Sequence, residues 1–457
     1  MTGGLLLALS ATAATAADLA KLDALFSRWS TSTPGCAVGA AVKGKTEFAR
    51  AYGMADLEHE VPNRADSVFE AGSVSKQFTA AAVLLLEREG KLSLEDPVRK
   101  HFPELPDYGA PLTIRHLLQH MAGLRDWGAV ASIAGWPRGT RTIGHDEVLE
   151  ILSRQRSLNF VPGSQYSYSN SGYNLAAMLV ARVSGLSFAE FSRKQLFEPL
   201  GMKSTAWRDD YRRVVKGRAI AYEPQGAQYQ QDMPFENVHG NGGLLTTVGD
   251  LLIWNEHLSS PRLWDAGFQQ RMETPGLFND GKSGSYAMGL VVGRYRGLRE
   301  IGHSGSTAGY RAHLLRLPEQ GVSVAVLCNA GDAAPTALAH QVAELLLPDA
   351  SLAPVRPMPA APARPVALVP TRQELQGLIG RYRSDEAESS FQLALEGEQL
   401  VLRQRPGRIV RLQATEQRDQ FRAGPLGLLR FERDAEGRAT AVHSRTERVW
   451  DLVFSRD

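Results

Sequence analysis

Ser73 and Lys76, in the run Ser73-Val74-Ser75-Lys76, put a hydroxyl and an amine three positions apart. Side chains at that spacing meet on one face of a helix. An amine kept neutral by burial or by neighbouring positive charge can take the serine proton and leave a nucleophile at neutral pH. Taken alone, the four residues read more readily as a polar helix start with an N-capping serine. Two later stretches change that balance. Tyr168-Ser169-Asn170 sits in the loop Pro162 to Tyr173, and His303-Ser304-Gly305-Ser306 follows the short strand candidate Leu298 to Ile301. Separately, Tyr168 is an ordinary half-buried aromatic and Asn170 with Ser171-Gly172 is turn chemistry. Together, in this order, the independent local signals agree on a catalytic constellation.

Serine-X-X-lysine, then tyrosine-X-asparagine, then a histidine with a hydroxyl residue and a glycine resembles the ordered triple of the penicillin-recognising serine hydrolases. On these residues the chain is identified as a member of the β-lactamase-related serine hydrolase superfamily. Its likeness is to the branch holding class C β-lactamases, D,D-carboxypeptidases, D-aminopeptidases and family VIII esterases. The resemblance runs from about Asp18 to about Leu347 and takes in Thr113 to His120, Gly123-Leu124 and Gly242 to Leu251. It implies that Ser73 is the nucleophile, that Lys76 and Tyr168 share the proton traffic, and that Asn170 orients Lys76 and the substrate amide. It also implies an oxyanion hole from the backbone N–H groups of Ser73 and Ser306, with His303, Ser304 and Gly305 bordering the substrate. A side chain at Gly305 would obstruct a substrate lying along the strand edge.

The implied activity is hydrolysis of an amide or ester through an acyl-enzyme, of D-aminopeptidase or D,D-carboxypeptidase type. A family VIII carboxylesterase or weak β-lactamase is the nearer alternative, and a catalytically silent peptidoglycan-binding module the remote one. His303 stands where the β-lactamases usually carry lysine. With an ordinary pKa of about 6.5 it is mostly neutral at pH 7, so its grip on a substrate carboxylate is weaker. That leans towards peptides or esters. No glutamate presents itself as a class A deacylation base, which leaves Tyr168 as the candidate.

These residues need a scaffold. Strand signals at Cys36 to Val42 and Phe48 to Met54 flank Lys43-Gly44-Lys45, helices and loops fill the middle, and Tyr310 to Leu317, Val322 to Cys328 and a helix Thr336 to Leu347 follow. Strands at both ends with helices between them predict an α/β sandwich with an antiparallel sheet. At 457 residues the chain exceeds one ordinary core. Six prolines between Ala353 and Pro370 mark an extended connector. Beyond it, short alternating runs around Phe391 to Leu395, Leu400 to Leu402, Ile409 to Leu412, Leu428 to Phe431 and Val449 to Phe454 predict a small antiparallel β-barrel or sandwich. The expected division is a signal peptide over 1–17, the hydrolase domain over 18–350, a proline-rich linker over 351–371 and the all-β domain over 372–457. The last shows no catalytic constellation, and its expected role is accessory.

Leu5 to Ala17 reads as an apolar core followed by small residues, too short for a membrane span, so export to the periplasm or beyond is expected without a transmembrane anchor. The positive segment usual before such a core is missing, and a short buried helix is the alternative reading. A net charge of +2 with scattered arginines gives no reason to expect nucleic acid; the partner is a small-molecule or short-peptide substrate, and oligomeric state is left open. The family implies that Cys36 and Cys328 lie on neighbouring strands, where a bridge is geometrically possible in an exported protein. Two buried free thiols are the preferred expectation. Gly276 to Ser283 matches the phosphate-loop pattern letter for letter, but no buried strand precedes it and Gly284-Ser285-Tyr286 starts a helix poorly. His116 and His120 stand at i, i+4 without a third ligand and are read as surface or capping histidines. No metal and no cofactor is expected.

Overall fold

A computed structural model describes residues 16–348, 352–354 and 366–457 of the chain. The expected leader up to residue 15 and the middle of the proline-rich connector lie outside the described residues.

Cys36–Val42 is apolar throughout because both of its faces are covered. It sits inside a six-stranded antiparallel sheet, ordered Val291–Tyr295, Leu298–Thr307, Tyr310–Leu317, Val322–Cys328, Cys36–Val42 and Lys45–Tyr52. One face packs on the helices Ala16–Leu25 and Pro335–Leu345 through Leu22, Phe26, Val38, Val324 and Val342. The other packs on the helix Val248–Ser259, whose Val248 and Leu252 close over Gly39. Behind that layer lies the helix Lys76–Arg88, buried from Lys76 through Leu86. Its run from Ala80 to Leu86 is apolar on every side and so belongs in an interior, and its buried Gln77 and Thr79 are hydrogen-bonded there. Its neighbour Asn170–Ser184 is buried through Val180 and ends at Gly185 in the left-handed conformation.

The register pairs Cys36 with Cys328 across the adjacent strands, and the two sulfurs are bonded. This corrects the expectation of free thiols. Packing preference favours small buried thiols anywhere in a core, whereas opposed positions on neighbouring strands bring the two β-carbons together, which composition does not reveal.

From Gly380 onwards nine strands form one antiparallel sheet that runs from Arg408–Arg411 at one end to Gln413–Ala414 at the other. The two end strands are nearly consecutive in sequence, so the sheet is drawn round into a barrel-like body. Its inward set includes Tyr382, Phe391, Leu393, Leu429, Phe431 and Phe454. This body docks on the helical layer. Arg125 bonds Glu386 at 2.8 Å and the carbonyl of Asp451 at 2.6 Å, and the Gln404 amide bonds the carbonyl of Ile133 at 2.8 Å. Arg125 is buried, so each of its bonds across the boundary is made in a water-poor setting where it counts for more. No single helix among the described residues is long and apolar enough to cross a membrane.

Candidate active site

Ser73 lies in a short turn, Gly72–Ser75, that runs directly into the helix Lys76–Arg88. Gly72 has φ +51°, and a β-carbon there would sit 2.6 Å from the backbone nitrogen of Ser306. Gly305 is closed from the other side, since its own β-carbon would collide with the carbonyl of Ala71 and lie 3.2 Å from the nitrogen of Ser73. The two glycines let the nucleophile turn and the strand Leu298–Thr307 touch backbone to backbone. That brings the Ser73 and Ser306 N–H groups to one place. Val291–Tyr295 pairs with this strand only as far as Gly302, so the edge from His303 to Thr307 faces the cleft without a strand partner.

Lys76 is fully buried, and its Nζ contacts Ser73 Oγ at 3.0 Å, Asn170 Oδ1 at 3.1 Å and the carbonyl of Asn241 at 2.6 Å. Among the described residues no carboxylate forms an ion pair with it. Burial holds its pKa well below the ordinary lysine range, and the guanidinium of Arg448 pushes the same way, with Asp126 opposing and Arg138 adding a smaller push. Each of the three contacts can take an N–H of Lys76, and when the amine is neutral its lone pair can face the Ser73 hydroxyl while Asn241 and Asn170 accept its two N–H groups. Tyr168 donates its phenol hydrogen to Ser73 Oγ at 2.8 Å. Burial raises its pKa above that of an ordinary phenol, so it is a proton donor at neutral pH.

Asn170 begins the helix Asn170–Ser184 inside the stretch read as a loop, and the Asp126 carboxylate accepts its backbone N–H at 2.7 Å. The same carboxylate accepts from Ala129 N–H at 3.0 Å and so caps the helix Trp127–Ile133. Asp126 therefore ties two helix starts together under the site.

His303 is buried, and burial above all pushes its pKa down to about 3. Its Nδ1–H donates to the carbonyl of Ser304 at 2.6 Å, which leaves Nε2 to accept from the Tyr286 hydroxyl at 3.0 Å. Both ring nitrogens are thus engaged within the protein. His120 corrects the expectation of a surface or capping histidine: it is buried at φ +57°, accepts the Ser169 N–H at 3.2 Å and lays its ring 4.2 Å from that of Tyr168. Its surface reading failed because the helix stops at Leu118, which turns the next two residues inward. His116, by contrast, caps that helix with Thr113.

The residues converge on a cleft of about 800 Å³. Ser73, Tyr168, Asn170 and His303 to Ser306 line it, as do residues that sequence reasoning left unassigned: Asn241, Arg138 and, from the C-terminal domain, Glu447, Arg448 and Trp450. The last three arrive on one loop. The carbonyl of Arg448 accepts from Asn159 at 3.0 Å, the Trp450 N–H donates to Asn159 Oδ1 at 3.0 Å, and the Arg448 guanidinium stands 4.9 Å from the centre of the Tyr168 ring. Arg448 also lies 3.9 Å from Asp126. Nothing in its local sequence marks it, since its neighbours are one more short alternating run. Gly276 to Ser283 forms a small closed loop, with Leu277 bridged to Ser283.

A family profile described as Beta-lactamase matches residues 12–347. Among curated proteins, a D-aminopeptidase of Gluconobacter oxydans (strain 621H) is 29% identical over 316 residues, covering 68% of this chain and 59% of the relative. This chain therefore spans less than two thirds of that protein's length. Among solved structures, the octameric penicillin-binding protein homologue from Pyrococcus abyssi superposes with a TM-score of 0.65 at 24% identity, over 96% of this chain and 99% of that one. A D-amino acid amidase from Ochrobactrum anthropi SV3 superposes with a TM-score of 0.61 at 22% identity, over 72% and 98%. At these identities the two structures bear on the fold alone.

Proposed function

This chain belongs to the β-lactamase family, and on that premise we propose that it is a serine hydrolase of D-aminopeptidase or D-amino-acid amidase type, working through an acyl-enzyme on Ser73. The observation that carries the reading is the placing of Ser73 Oγ between a buried amine and a buried phenol, 3.0 Å from Lys76 Nζ and 2.8 Å from Tyr168. The curated relative's name supplies the substrate class.

In this mechanism the Ser73 proton passes to Lys76 Nζ as Oγ attacks the carbonyl carbon. The resulting oxyanion is held by the N–H groups of Ser73 and Ser306. Collapse breaks the C–N bond, and the leaving amine takes a proton from Tyr168, which recovers one from Lys76. A water then gives its proton back along the same route, attacks the acyl carbon and releases the acid, with the proton returned to Ser73 Oγ. Asn170 and the Asn241 carbonyl fix the amine throughout.

A second reading, a D,D-carboxypeptidase, is favoured by Arg448, which brings a guanidinium to a cleft whose histidine is neutral and occupied. Such a group suits a terminal carboxylate. Export belongs to the same proposal and is supported by the Cys36–Cys328 bond, which suits an oxidising compartment; cell fractionation checks it.

The test is intact mass and chromophore release after exposure of the protein and its Ser73→Ala variant to a D-aminoacyl p-nitroanilide, an acyl-D-alanyl-D-alanine, p-nitrophenyl butyrate and benzylpenicillin. Turnover of the anilide, lost in Ser73→Ala, is the expected result. Turnover of the dipeptide alone selects the carboxypeptidase, and of the ester alone the esterase. No adduct and no turnover with any substrate overturns the hydrolase reading.

A further inference from the structure

On the back of the strand that carries His303 to Ser306 lies a second cluster of chemically active side chains. Glu300 on that strand and His313 on the next one face the helix Pro335–Leu345, which brings down His340. One donor atom from each of the three lies within 4.8 Å of the other two. His340 Nε2 is 3.0 Å from both Glu300 oxygens, and His313 Nε2 is 3.8 Å from the nearer one.

The bonds around these groups are uneven. His313 Nδ1 bonds Thr336 Oγ1 at 3.0 Å, one helical turn before His340. His313 is 6% exposed, and its Nε2 is buried without a hydrogen-bond partner. In the tautomer whose Nδ1–H donates to Thr336, Nε2 carries a free lone pair 3.8 Å from the Glu300 carboxylate, beyond hydrogen-bond reach. In that tautomer the space between the imidazole and the carboxylate suits a cation, which both groups can ligate together with His340. A hydrogen bond from the far ring nitrogen is the usual means of fixing a metal-binding imidazole, and Thr336 is placed to accept one. The His340 ring is fixed independently, stacked on Tyr295 with centroids 3.8 Å apart and 9° between planes.

We propose that Glu300, His313 and His340 bind one divalent cation of the zinc class, with water as the fourth ligand. Two imidazoles and one carboxylate are a zinc-type donor set, and bonds of about 2.0 to 2.1 Å in a tetrahedron place donors about 3.3 Å apart. The observed 3.0 and 3.8 Å bracket that separation. Entry of the ion replaces the His340–Glu300 contact and gives Nε2 of His313 its missing partner. Water reaches the fourth position past His340 and Glu300, which are 19% and 17% exposed at the side chain. The role is structural. The ion clips Pro335–Leu345, whose Pro335 and Thr336 border the cleft, to the strand that presents Ser306. The proposal is independent of which substrate the cleft takes.

The test uses the full chain, dialysed against chelator and then titrated with Zn²⁺ against a competing chromophoric chelator. The expected result is one equivalent per chain with a Kd below about 1 µM, a higher melting temperature with Zn²⁺, and affinity at least tenfold weaker in His340→Gln and in Glu300→Gln. His340 is only partly buried, whereas His313 is buried, so the His340 variant disturbs the core less should His313→Ala fail to fold. Replacing Asp56 and His59, an exposed acidic and histidine cluster elsewhere, leaves the equivalent in place. No binding at about 10 µM Zn²⁺, or binding that His340→Gln weakens less than tenfold, overturns the site.

Discussion

Removing the charge of Arg448 raises the pKa of Lys76 and slows Ser73 at low pH. The guanidinium carbon of Arg448 and the Nζ of Lys76 each lie 4.9 Å from the centre of the Tyr168 ring. The two cations are thus no more than about 10 Å apart, and at an effective dielectric constant of about 20 their repulsion is about 1.7 kcal/mol, or roughly one pKa unit. The Arg448 side chain is 37% exposed, and solvent and salt reduce the effect to about half a unit to one unit. The sign follows from the chemistry. Lys76 accepts the serine proton only when neutral, so a higher pKa moves the rising acid limb of the pH profile to higher pH. The assay is the rate at which an uncharged fluorophosphonate labels Ser73, measured across pH for the parent, Arg448→Gln and Arg448→Lys. A neutral probe has no carboxylate, so loss of a substrate contact cannot imitate the shift. Arg448→Gln should move the limb up by about half a unit or more, and Arg448→Lys should restore it. A limb displaced by less than about 0.2 unit, or displaced downwards, refutes the electrostatic coupling of the C-terminal domain to the nucleophile.

Three further outcomes are expected. Lys76→Met lowers the labelling rate by at least about a thousandfold without lowering the melting temperature at pH 7; because the folded-state pKa of Lys76 is depressed, the unfolded chain binds more protons, parental stability rises with pH up to the unfolded value, and calorimetry should show a flatter rise in the variant. Gly305→Ala forces the strand away from Ala71, so urea melts should show a loss of about 3 kcal/mol or more, with labelling of Ser73 abolished in whatever folds. Replacing Cys36 and Cys328 by alanine opens a link across 292 residues and should cost about 3 to 5 kcal/mol in urea midpoint times slope, leaving the pH profile of labelling unchanged.

The order and spacing of Ser73, Lys76, Tyr168, Asn170 and the His303 to Ser306 run were legible because each rests on a local rule. A three-residue helical offset, a proline-glycine loop before a helix and a strand followed by a glycine are readable without knowing what lies across the molecule. The apolar stretches within Lys76–Arg88, Cys36–Val42 and Val322–Cys328 were legible for the same reason: a segment buried on all its faces carries few polar residues to break the run.

What tertiary structure alone decided are the meetings between distant segments. Nothing local to Cys36 says that Cys328 will stand opposite it, since register is set by the whole sheet. His120 became part of the floor beneath Tyr168 because a helix ended two residues before it. Glu447, Arg448 and Trp450 sit in the cleft because a barrel-like domain, whose own sequence carries only the alternation of its strands, docks through Arg125 and Asn159. The same holds for the charge state of Lys76. The amine and the hydroxyl are written side by side in the sequence, but the burial that lowers the pKa of the amine comes from Asn170, Asn241 and the surrounding layers, because desolvation is a property of everything packed around a group.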